Sequence, residues 1–278
     1  MAWRIVRPSR VLTRSMATYL DRILDAHRAT AARDERPFSE LYEAACSSPA
    51  TRGFGDSLAT VDPASDGIAV ISEVKRRSPS KGDLFAGLDP ATVAHQYSTG
   101  GASCLSVLTD EEFFGGSVSD LQAARGACTL PVLRKDFTVA ERDVLDARIM
   151  GADCVLLIAA ALDRRELANF HALAVEVGLD VLVEVHDEAE LEMALEVGAT
   201  LVGVNQRDLV TFNVDHERAL RMGAVIPRDV VSVAESGVRS RSDALALTEA
   251  GYRAVLVGET LVTSGDPEQA VASLRGHR

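Results

Sequence analysis

The stretch MGADCVLLI, residues 150–158, decides the fold because it recurs along this chain of 278 residues. Three further segments match it: GGASCLSVL (100–108), VGATLVGVN (197–205) and AGYRAVLVG (250–258). The second residue of each segment is a glycine, placed to end a helix in the left-handed conformation before a short apolar strand. Successive glycines lie 50, 47 and 53 residues apart, so the sequence has a repeat of about 50 residues.

Short apolar runs rich in β-branched residues predict eight strands. They lie at 68–74, 104–108, 131–135, 154–158, 181–185, 201–205, 230–234 and 254–258. Helical patterns with acidic first turns separate them, as in AERDVLDARIM (140–150). Four repeats of two strand–helix units give eight units, which is the number in a closed (β/α)8 (TIM) barrel. An open doubly wound sheet is the alternative, but eight nearly equal units favour closure, and we predict an α/β barrel over residues 67–278.

The residues before the barrel have a different pattern. Residues 1–15 contain four arginines and no acidic residue. We interpret them as a leader outside the fold, either disordered or read from an upstream start codon, with a targeting peptide as the alternative. Between residues 17 and 45, apolar residues recur at the spacing of one or two helices. Residues 16–66 are therefore predicted to form a helical extension in one domain with the barrel.

Composition and charge narrow the function classes. The net charge is −12 and acidic residues are spread along the chain, which argues against a nucleic-acid partner. The longest uncharged apolar run, residues 154–162, is too short to cross a membrane. Four cysteines without paired spacing predict thiols in a reducing, cytoplasmic setting, with no disulfide and no zinc site. The six histidines also lack metal-ligand spacing, so we predict no metal.

Polar residues follow several predicted strands at the end where (β/α)8 barrels carry their active sites. In ISEVKRRSPSKG (71–82), strand alternation places Ile71, Glu73 and Lys75 on one face. The candidates at the ends of later strands are Lys135, Glu184, Asn205, Arg207, Glu235, Ser236, Gly237, Gly258 and Glu259. The second and fourth strands are predicted to end without such groups. Lysines and carboxylates around one apolar floor are typical of an active site, and a structural ion pair is the alternative for Glu73 and Lys75.

Glycines after the last two strands predict a phosphate site. Ser236-Gly237 and Gly258-Glu259 offer backbone N–H groups in the loops that commonly hold phosphate in this fold. Ser78 adds a hydroxyl from the loop after the first strand. The predicted mouth of the barrel therefore combines a phosphate site with a set of ionisable side chains.

Several neighbours of these candidates have structural interpretations. We interpret Asp136 as a helix cap. Arg207 and Glu235 either contact a substrate or orient the side chains beside them. Arg134 alternates away from the mouth and is predicted to be solvated or to lie between helices. Phe114, in DEEFFGGS, is either a loop anchor or part of a ring-binding wall.

Seven segments in order resemble the indole-3-glycerol-phosphate synthase family: SEVKRRSPSKG, LTDEEFFGGS, PVLRKDF, LVEVHDEAEL, GVNQRDL, AESGV and LVGETLV. The resemblance runs from YLDRIL near residue 19 to the C-terminus. It implies a (β/α)8 barrel with an N-terminal extension, and a carboxy-lyase of tryptophan biosynthesis that needs no cofactor or metal. The implied substrate, 1-(2-carboxyphenylamino)-1-deoxyribulose 5-phosphate, closes to an indole with loss of carbon dioxide and water.

The resemblance also implies roles for individual residues. Lys135 matches the general acid, and Glu184 matches the base of the dehydration. Lys75 matches a second lysine near the substrate carboxylate, positioned by Glu73, while Asn205 orients the substrate. The implied phosphate contacts are Ser78, Gly237, Gly258 and Glu259, and the implied walls of the ring site are Pro79, Phe114 and Phe137. Many relatives carry serine in place of Glu259, so only its backbone N–H is carried over.

Two other functions fit the same barrel. A Schiff-base aldolase would also use a lysine at a strand end with carboxylate neighbours, and borohydride trapping would reveal it. A catalytically inactive barrel that serves as a binding partner is the second alternative, but every charged position at the mouth is filled. The sequence indicates neither an oligomeric state nor an association with other enzymes of the pathway.

Overall fold

A computed structural model describes residues 18–63, 65–78, 81–85, 87–208 and 213–276. Within these ranges, eight parallel strands close into a barrel. They are β1 (Ala69–Val74), β4 (Cys104–Leu108), β5 (Val132–Lys135), β6 (Cys154–Ile158), β7 (Asp180–Val185), β8 (Leu201–Asn205), β9 (Val231–Glu235) and β10 (Ala254–Val257). Each strand pairs with the next, and β10 returns to pair with β1, with Ala69 opposite Ala254. The predicted closed barrel is confirmed, and every predicted strand lies within one residue of its observed bounds.

Helices alternate with the barrel strands, as the repeat predicts. The barrel helices are α4 (Pro90–Thr99), α5 (Val118–Ala127), α6 (Glu141–Ile149), α7 (Arg164–Glu176), α8 (Glu188–Glu196), α9 (His216–Gly223), α10 (Arg241–Glu249), α11 (Glu259–Val262) and α12 (Pro267–Arg275). A short 3-10 turn (Ala159–Ala161) precedes α7, and a small antiparallel hairpin, β2 (Arg77–Ser78) with β3 (Gly82–Asp83), lies in the loop after β1.

The helix boundaries follow from the local sequence. The four repeat glycines all adopt the left-handed conformation, with φ between 80° and 100°. At Gly151, for example, the N–H donates to the carbonyl of Arg148, and the next N–H, of Ala152, reaches back to Ala147. At the other end of the helices, side chains such as Asp163 and Ser240 accept hydrogen bonds from the first helical N–H groups. The glycines turn the chain sharply from the end of a helix toward the next strand, and the side-chain caps fix where the next helix begins.

Three helices precede the barrel: α1 (Tyr19–Ala31), α2 (Phe38–Cys46) and α3 (Phe54–Ala59). The sequence predicted one or two helices where α1 and α2 lie, whereas α3 lies beyond the segment with helical spacing. α3 packs against the amino-terminal end of the barrel, where the N–H of Gly55 donates to Asp180 at the start of β7 over 2.9 Å. Phe54 and Leu58 are fully buried there. α3 therefore covers the end of the barrel opposite to the predicted site.

The predicted leader and the predicted lack of a membrane-spanning segment both concern where the protein is located. The predicted leader, residues 1–15, lies outside the described residues. In the part of the chain that the structure describes, every helix falls short of the length and apolar character needed to cross a membrane.

Candidate active site

A cavity of about 480 Å³ opens at the carboxyl-terminal end of the barrel strands. The structure brings together in its lining all of the described residues that the sequence singled out: Glu73, Lys75, Ser78, Phe114, Lys135, Phe137, Glu184, Asn205, Arg207, Glu235, Ser236, Gly237, Gly258 and Glu259. Pro79, the remaining candidate, lies outside the described residues. Strand alternation and the closure of the barrel predicted this convergence for the residues at the strand ends, whereas the two phenylalanines were placed by the family resemblance.

The chain contains only three lysines, and all three line this cavity. Lys75 contacts Glu73 with 2.5 Å between Nζ and Oε1. Lys81, from the loop after β1, pairs with Glu259 at the start of α11. Arginine carries the remaining basic positions of the chain. All of the lysine amino groups of the chain therefore lie in this cavity.

Lys135 is held between two carboxylates on the floor of the cavity. Its Nζ donates to Oε2 of Glu184 over 2.9 Å and to Oε2 of Glu235 over 2.6 Å. The side chain of Lys135 is 14% exposed, and those of the two glutamates are at most 3% exposed. Together with Glu73 on β1, these residues come from β5, β7 and β9, which are alternate strands of the barrel. They form one interior layer in the way that barrel interiors are built.

Two glycines on the neighbouring strands make room for the buried carboxylates. A Cβ atom on Gly203, in β8, would clash with the Glu235 carboxylate. A Cβ on Gly258, directly after β10, would clash with the carboxylate of Glu73 in the same way. Any larger residue at either position would therefore displace a charged group of the site.

Burial and charge give the two glutamates around Lys135 different protonation states. Burial raises the pKa of Glu235 to about 7, because the opposing charge of Lys135 is offset by the nearby Glu184 carboxylate. Burial also acts on Glu184, but Lys135 and a hydrogen bond from Asn205 outweigh it and lower the pKa to about 2. For Lys135, burial lowers the pKa, but the surrounding carboxylates outweigh burial and raise it. At neutral pH the site therefore contains a charged lysine, an ionised Glu184 and a Glu235 close to its midpoint.

A hydrogen-bonded chain links this cluster to the predicted phosphate loop. Asn205 donates through Nδ2 to Oε1 of Glu184 over 3.0 Å, and its Oδ1 accepts from the hydroxyl of Ser236 over 3.0 Å. Ser236 has a φ of 66°, which is strained for a residue with a side chain. Gln206 stabilises this backbone by donating to the Ser236 carbonyl over 2.8 Å. The strain is thus maintained by neighbours, as is common in binding loops.

Ser78 and Glu259, from the loops after β1 and β10, also line the cavity. The Ser78 hydroxyl oxygen is buried, and among the described residues it has no hydrogen-bond partner. Such a group is suited to a ligand oxygen, because leaving it unpaired costs free energy. The Glu259 carboxylate binds Lys81, so the predicted phosphate region carries one ion pair of its own.

Two aromatic rings form one wall of the cavity. The centroids of Phe114 and Phe137 lie 6.2 Å apart. The carboxylate of Asp110 accepts from the N–H groups of Phe113 and Phe114 over 2.6 and 3.0 Å. Asp136 accepts from the N–H of Phe137 over 2.8 Å. Each ring is therefore carried by a backbone segment that a buried aspartate holds in place.

The roles of Asp110 and Asp136 correct two sequence predictions. The second strand does not end without an ionisable group, because Asp110 follows β4 and lines the cavity. Asp136 is not a helix cap, since α6 begins five residues later, at Glu141, with Ala140 at its N-cap position. The side chain of Asp136 is buried instead and accepts from Arg134 over 3.0 Å.

For Arg134, the structure favours the second of the two predicted environments. It is 8% exposed, and its guanidinium also donates to the carbonyl of Asp143 in α6 over 3.2 Å. Its direction, away from the mouth and toward a helix, agrees with strand alternation.

His27, Asp110 and Asp136 are a further group that sequence reasoning missed. One ligand atom from each lies within 4.8 Å of the others, which is close enough for a metal ion. However, Asp110 already accepts from His27 and from two backbone N–H groups, and Asp136 accepts from Thr109, Arg134 and Phe137. The carboxylate oxygens of the group are thus already occupied by hydrogen-bond donors, and the arrangement does not require a cation.

A family model for indole-3-glycerol phosphate synthase matches residues 20–274. The chain belongs to that family. Its activity is accordingly the formation of indole-3-glycerol phosphate, a carboxy-lyase reaction of tryptophan biosynthesis with a phosphorylated substrate. The family's extent agrees with the fold, since the match begins in α1 and ends in α12.

Solved structures similar to this chain share its barrel at low sequence identity. A thiamine phosphate pyrophosphorylase from Pyrococcus furiosus has a TM-score of 0.58 and 15% identity, covering 75% of this chain and 94% of its own. A native KDPGal structure gives 0.51 and 17%, covering 74% and 91%. A designed cube-shaped protein cage gives 0.51 and 16%, covering 74% and 70%. These likenesses bear on the fold alone.

Proposed function

We propose that the synthase closes the indole ring with Lys135 as the general acid. The observation that carries this proposal is a charged lysine fixed on the cavity floor between the carboxylates of Glu184 and Glu235. Ring closure places negative charge on the ketone oxygen of the substrate. A preorganised ammonium group both stabilises that charge and supplies the proton.

The reaction then proceeds in three steps whose atoms balance. The ring carbon that bears the carboxylate attacks the ketone carbon, and the ketone oxygen takes a proton from Lys135. Carbon dioxide leaves from the same ring carbon, and its bonding electrons return to the ring and restore aromaticity. The new hydroxyl leaves as water after protonation, while a base removes a proton from the adjacent carbon. Glu184 suits this last role because it is ionised, and Glu235, with a pKa of about 7, can return a proton to Lys135.

The second lysine binds the substrate carboxylate in this proposal. Lys75 lies at the end of β1, and Glu73 holds its Nζ at 2.5 Å. An ammonium group fixed in this way pairs with the carboxylate before ring closure and releases it as neutral carbon dioxide. Lys75 therefore contributes to binding of the substrate as well as to the rate.

The phosphate end of the substrate lies between the loops after β1, β9 and β10. The buried hydroxyl of Ser78 supports this orientation, as do the backbone N–H groups expected at Gly237 and Gly258, which carry no side chain. Arg207 also lines the cavity. When the substrate binds, the Lys81 ammonium group leaves the Glu259 carboxylate and pairs with the substrate phosphate. A dianion attracts an exposed ammonium group more strongly than one carboxylate does.

At the opposite end, Phe114 and Phe137 hold the anthranilate ring. Their centroid separation of 6.2 Å forms an apolar wall rather than a closed stack.

We also propose a cytoplasmic location, because Cys104 and Cys154 are buried free thiols, as expected in a reducing compartment. Neither proposal requires a nucleic-acid or membrane partner.

The Schiff-base aldolase is the less favoured reaction. A lysine that forms a Schiff base must be neutral when it attacks, and this usually requires a lowered pKa. The carboxylates around Lys135 raise its pKa instead. Borohydride reduction in the presence of a sugar phosphate is therefore expected to leave the mass of the protein unchanged, whereas a stable adduct on Lys135 would favour the aldolase.

Timing carbon dioxide release against indole fluorescence in a single turnover tests the division of roles. With Glu184→Gln, carbon dioxide is expected to appear first and the indole about 10²-fold more slowly than in the wild type, because the dehydration lacks its base. With Lys135→Met, neither product should form at a normal rate. If both products of Glu184→Gln appear together at the wild-type rate, Glu184 is only a structural partner of Lys135.

A further inference from the structure

α1, outside the barrel, reaches the active-site network through His27. Its Nε2 lies 2.8 Å from Oδ2 of Asp110 and 3.9 Å from Oδ1 of Asp136. The imidazole also packs on Phe137, with 5.4 Å between the ring centroids. A single side chain of the extension therefore contacts both loops that carry the aromatic wall.

Each contact of His27 leads directly to one of the two rings. Asp110, which His27 binds, accepts from the N–H of Phe114 over 3.0 Å and so fixes the turn after β4. Asp136 accepts from the N–H of Phe137 over 2.8 Å and fixes the turn after β5. The loops come from neighbouring strands and share His27 between them. Moving His27 would therefore remove a contact that the two ring-bearing turns share.

The network is buried, and α1 is anchored independently of it. The side chains of Asp110 and Asp136 are 3% and 6% exposed, against 21% for His27. Arg28, the next residue of α1, pairs with Glu166 of α7 over 2.8 Å and donates to the carbonyl of Ala161. Because this second contact fixes the helix, His27 is held at the wall rather than at the free end of a mobile segment.

We propose that His27 is a positioning residue for the ring half of the substrate, which sets the spacing of Phe114 and Phe137 through Asp110 and Asp136. The inference rests on the proposed function, in which these two rings hold the anthranilate ring. His27 touches no reacting atom in this account. Its effect belongs to substrate binding and to the alignment of the ring carbon that attacks the ketone.

The charge of His27 strengthens this arrangement. Burial lowers its pKa, but the hydrogen bond to Asp110 and the charges of Asp110, Asp136 and Asp143 outweigh burial, so the pKa is raised. Arg134 faces the network from the far side of Asp136. Below its raised pKa, His27 is a cation that binds two loops. As the pH rises through that value, His27 becomes a neutral hydrogen-bond partner, and its interactions with the two loops weaken.

Three substitutions at one position separate charge, hydrogen bonding and packing. The measurement is the dissociation constant of a substrate analogue whose ketone is reduced to an alcohol, between pH 6 and pH 9, with kcat and the thermal midpoint. His27→Ala is expected to weaken binding about tenfold, the scale of a lost charge-assisted hydrogen bond. His27→Gln should bind weakly at all pH values, whereas His27→Lys should keep tight binding at high pH, where the wild type loses it. His95→Gln, on the exposed face of α4, is the matched control and should follow the wild type.

Phe137→Leu distinguishes this inference from the proposed function. If it weakens analogue binding while the His27 variants bind like the wild type, the positioning role is overturned and the ring wall stands. If Phe137→Leu leaves binding unchanged, the ring wall is wrong and the positioning role falls with it. If His27→Gln lowers only the thermal midpoint, His27 is structural and the inference is overturned as well.

Discussion

At the amino-terminal end of the barrel, Asp153 is fully buried, and both of its oxygens are hydrogen-bonded. Its Oδ1 accepts from the N–H of Arg52 and from the Arg125 side chain, both over 2.9 Å, and its Oδ2 accepts from the N–H of Val132 over 2.8 Å. At the carboxyl-terminal end, Glu235 is only 2% exposed, yet its Oε1 has no partner among the described residues. A satisfied buried carboxylate stabilises the fold, whereas an unsatisfied one indicates a place for a ligand.

The buried charges at the two ends also differ in their effect on the free energy of folding. Around Asp153, one carboxylate meets an arginine and backbone donors that hold the first residues of β5 and β6 together. Around Lys135, the carboxylates of Glu73, Glu184 and Glu235 are crowded into one layer, so one of them is driven toward its protonated form. Desolvation of such a cluster opposes folding, and proteins retain it where chemistry requires it. Substitutions at the two ends should therefore have opposite consequences.

The largest expected effect is on turnover, at the carboxyl-terminal end. Lys135→Met should lower kcat by about 10³-fold or more, because the proton donor also stabilises the developing charge. Substrate should still bind, so the dissociation constant of the reduced analogue should change far less than kcat. Steady-state indole fluorescence and an analogue titration measure the two quantities.

The other lysines of the cavity are matched controls for that substitution. Lys75→Met should weaken binding as well as turnover, and Lys81→Met, at the rim, should mainly weaken binding of the phosphate end. If Lys135→Met raises the dissociation constant but keeps a normal kcat, the assignment of the general acid is wrong.

The next largest effect is on stability, at the amino-terminal end. Asp153→Ala should lower the free energy of unfolding by about 3 kcal/mol or more, because it leaves Arg125 and two buried N–H groups without their acceptor. At temperatures where the variant remains folded, kcat should be close to that of the wild type. Urea unfolding of Asp153→Ala beside Asp229→Ala, an exposed position, measures the difference. Equal stability of the two variants would contradict the structural role of Asp153.

A smaller effect depends on pH and concerns Glu235. Because burial raises its pKa from 4.5 to about 7, folded protein retains a proton that unfolded protein has released between those pH values. Stability from this group is therefore complete below about pH 4.5 and is lost as the pH rises to about 7. Glu235→Gln removes the titration, so its stability relative to the wild type should increase by about 3 kcal/mol across that range. Urea unfolding at several pH values, with the exposed Glu188→Gln as the control, would show a flat difference if Glu235 stays ionised throughout.

Much of the fold and of the site follows from local patterns in the sequence. The glycine repeat and the β-branched runs predicted the eight strands because each feature determines the backbone conformation of the few residues next to it. Lys135 and Glu184 could be placed in the site because a strand reverses the direction of its side chains at every residue. Barrel closure then brought alternate strands together without any further information.

Residues just beyond the strands were harder to predict. Asp110 follows the end of β4, where alternation no longer fixes the direction of a side chain, and an acidic loop residue is commonly solvated. Its partner His27 is 83 residues away, in a helix whose pattern shows only an apolar stripe. Asp136 resembles a helix cap in sequence, but Thr109, 27 residues earlier, binds it instead. These contacts depend on tertiary packing, which no local pattern records.

We infer that the charges on the cavity floor serve the reaction and not the fold. Urea unfolding of the triple variant Lys135→Met, Glu184→Gln, Glu235→Leu tests it most directly, because that variant removes the charges of Lys135 and of its two carboxylate partners together. We predict a free energy of unfolding within about 1 kcal/mol of the wild type, or higher, since replacing buried ions by well-packed neutral groups is often neutral or stabilising. A loss of about 3 kcal/mol or more, comparable to that expected for Asp153→Ala, would contradict the claim.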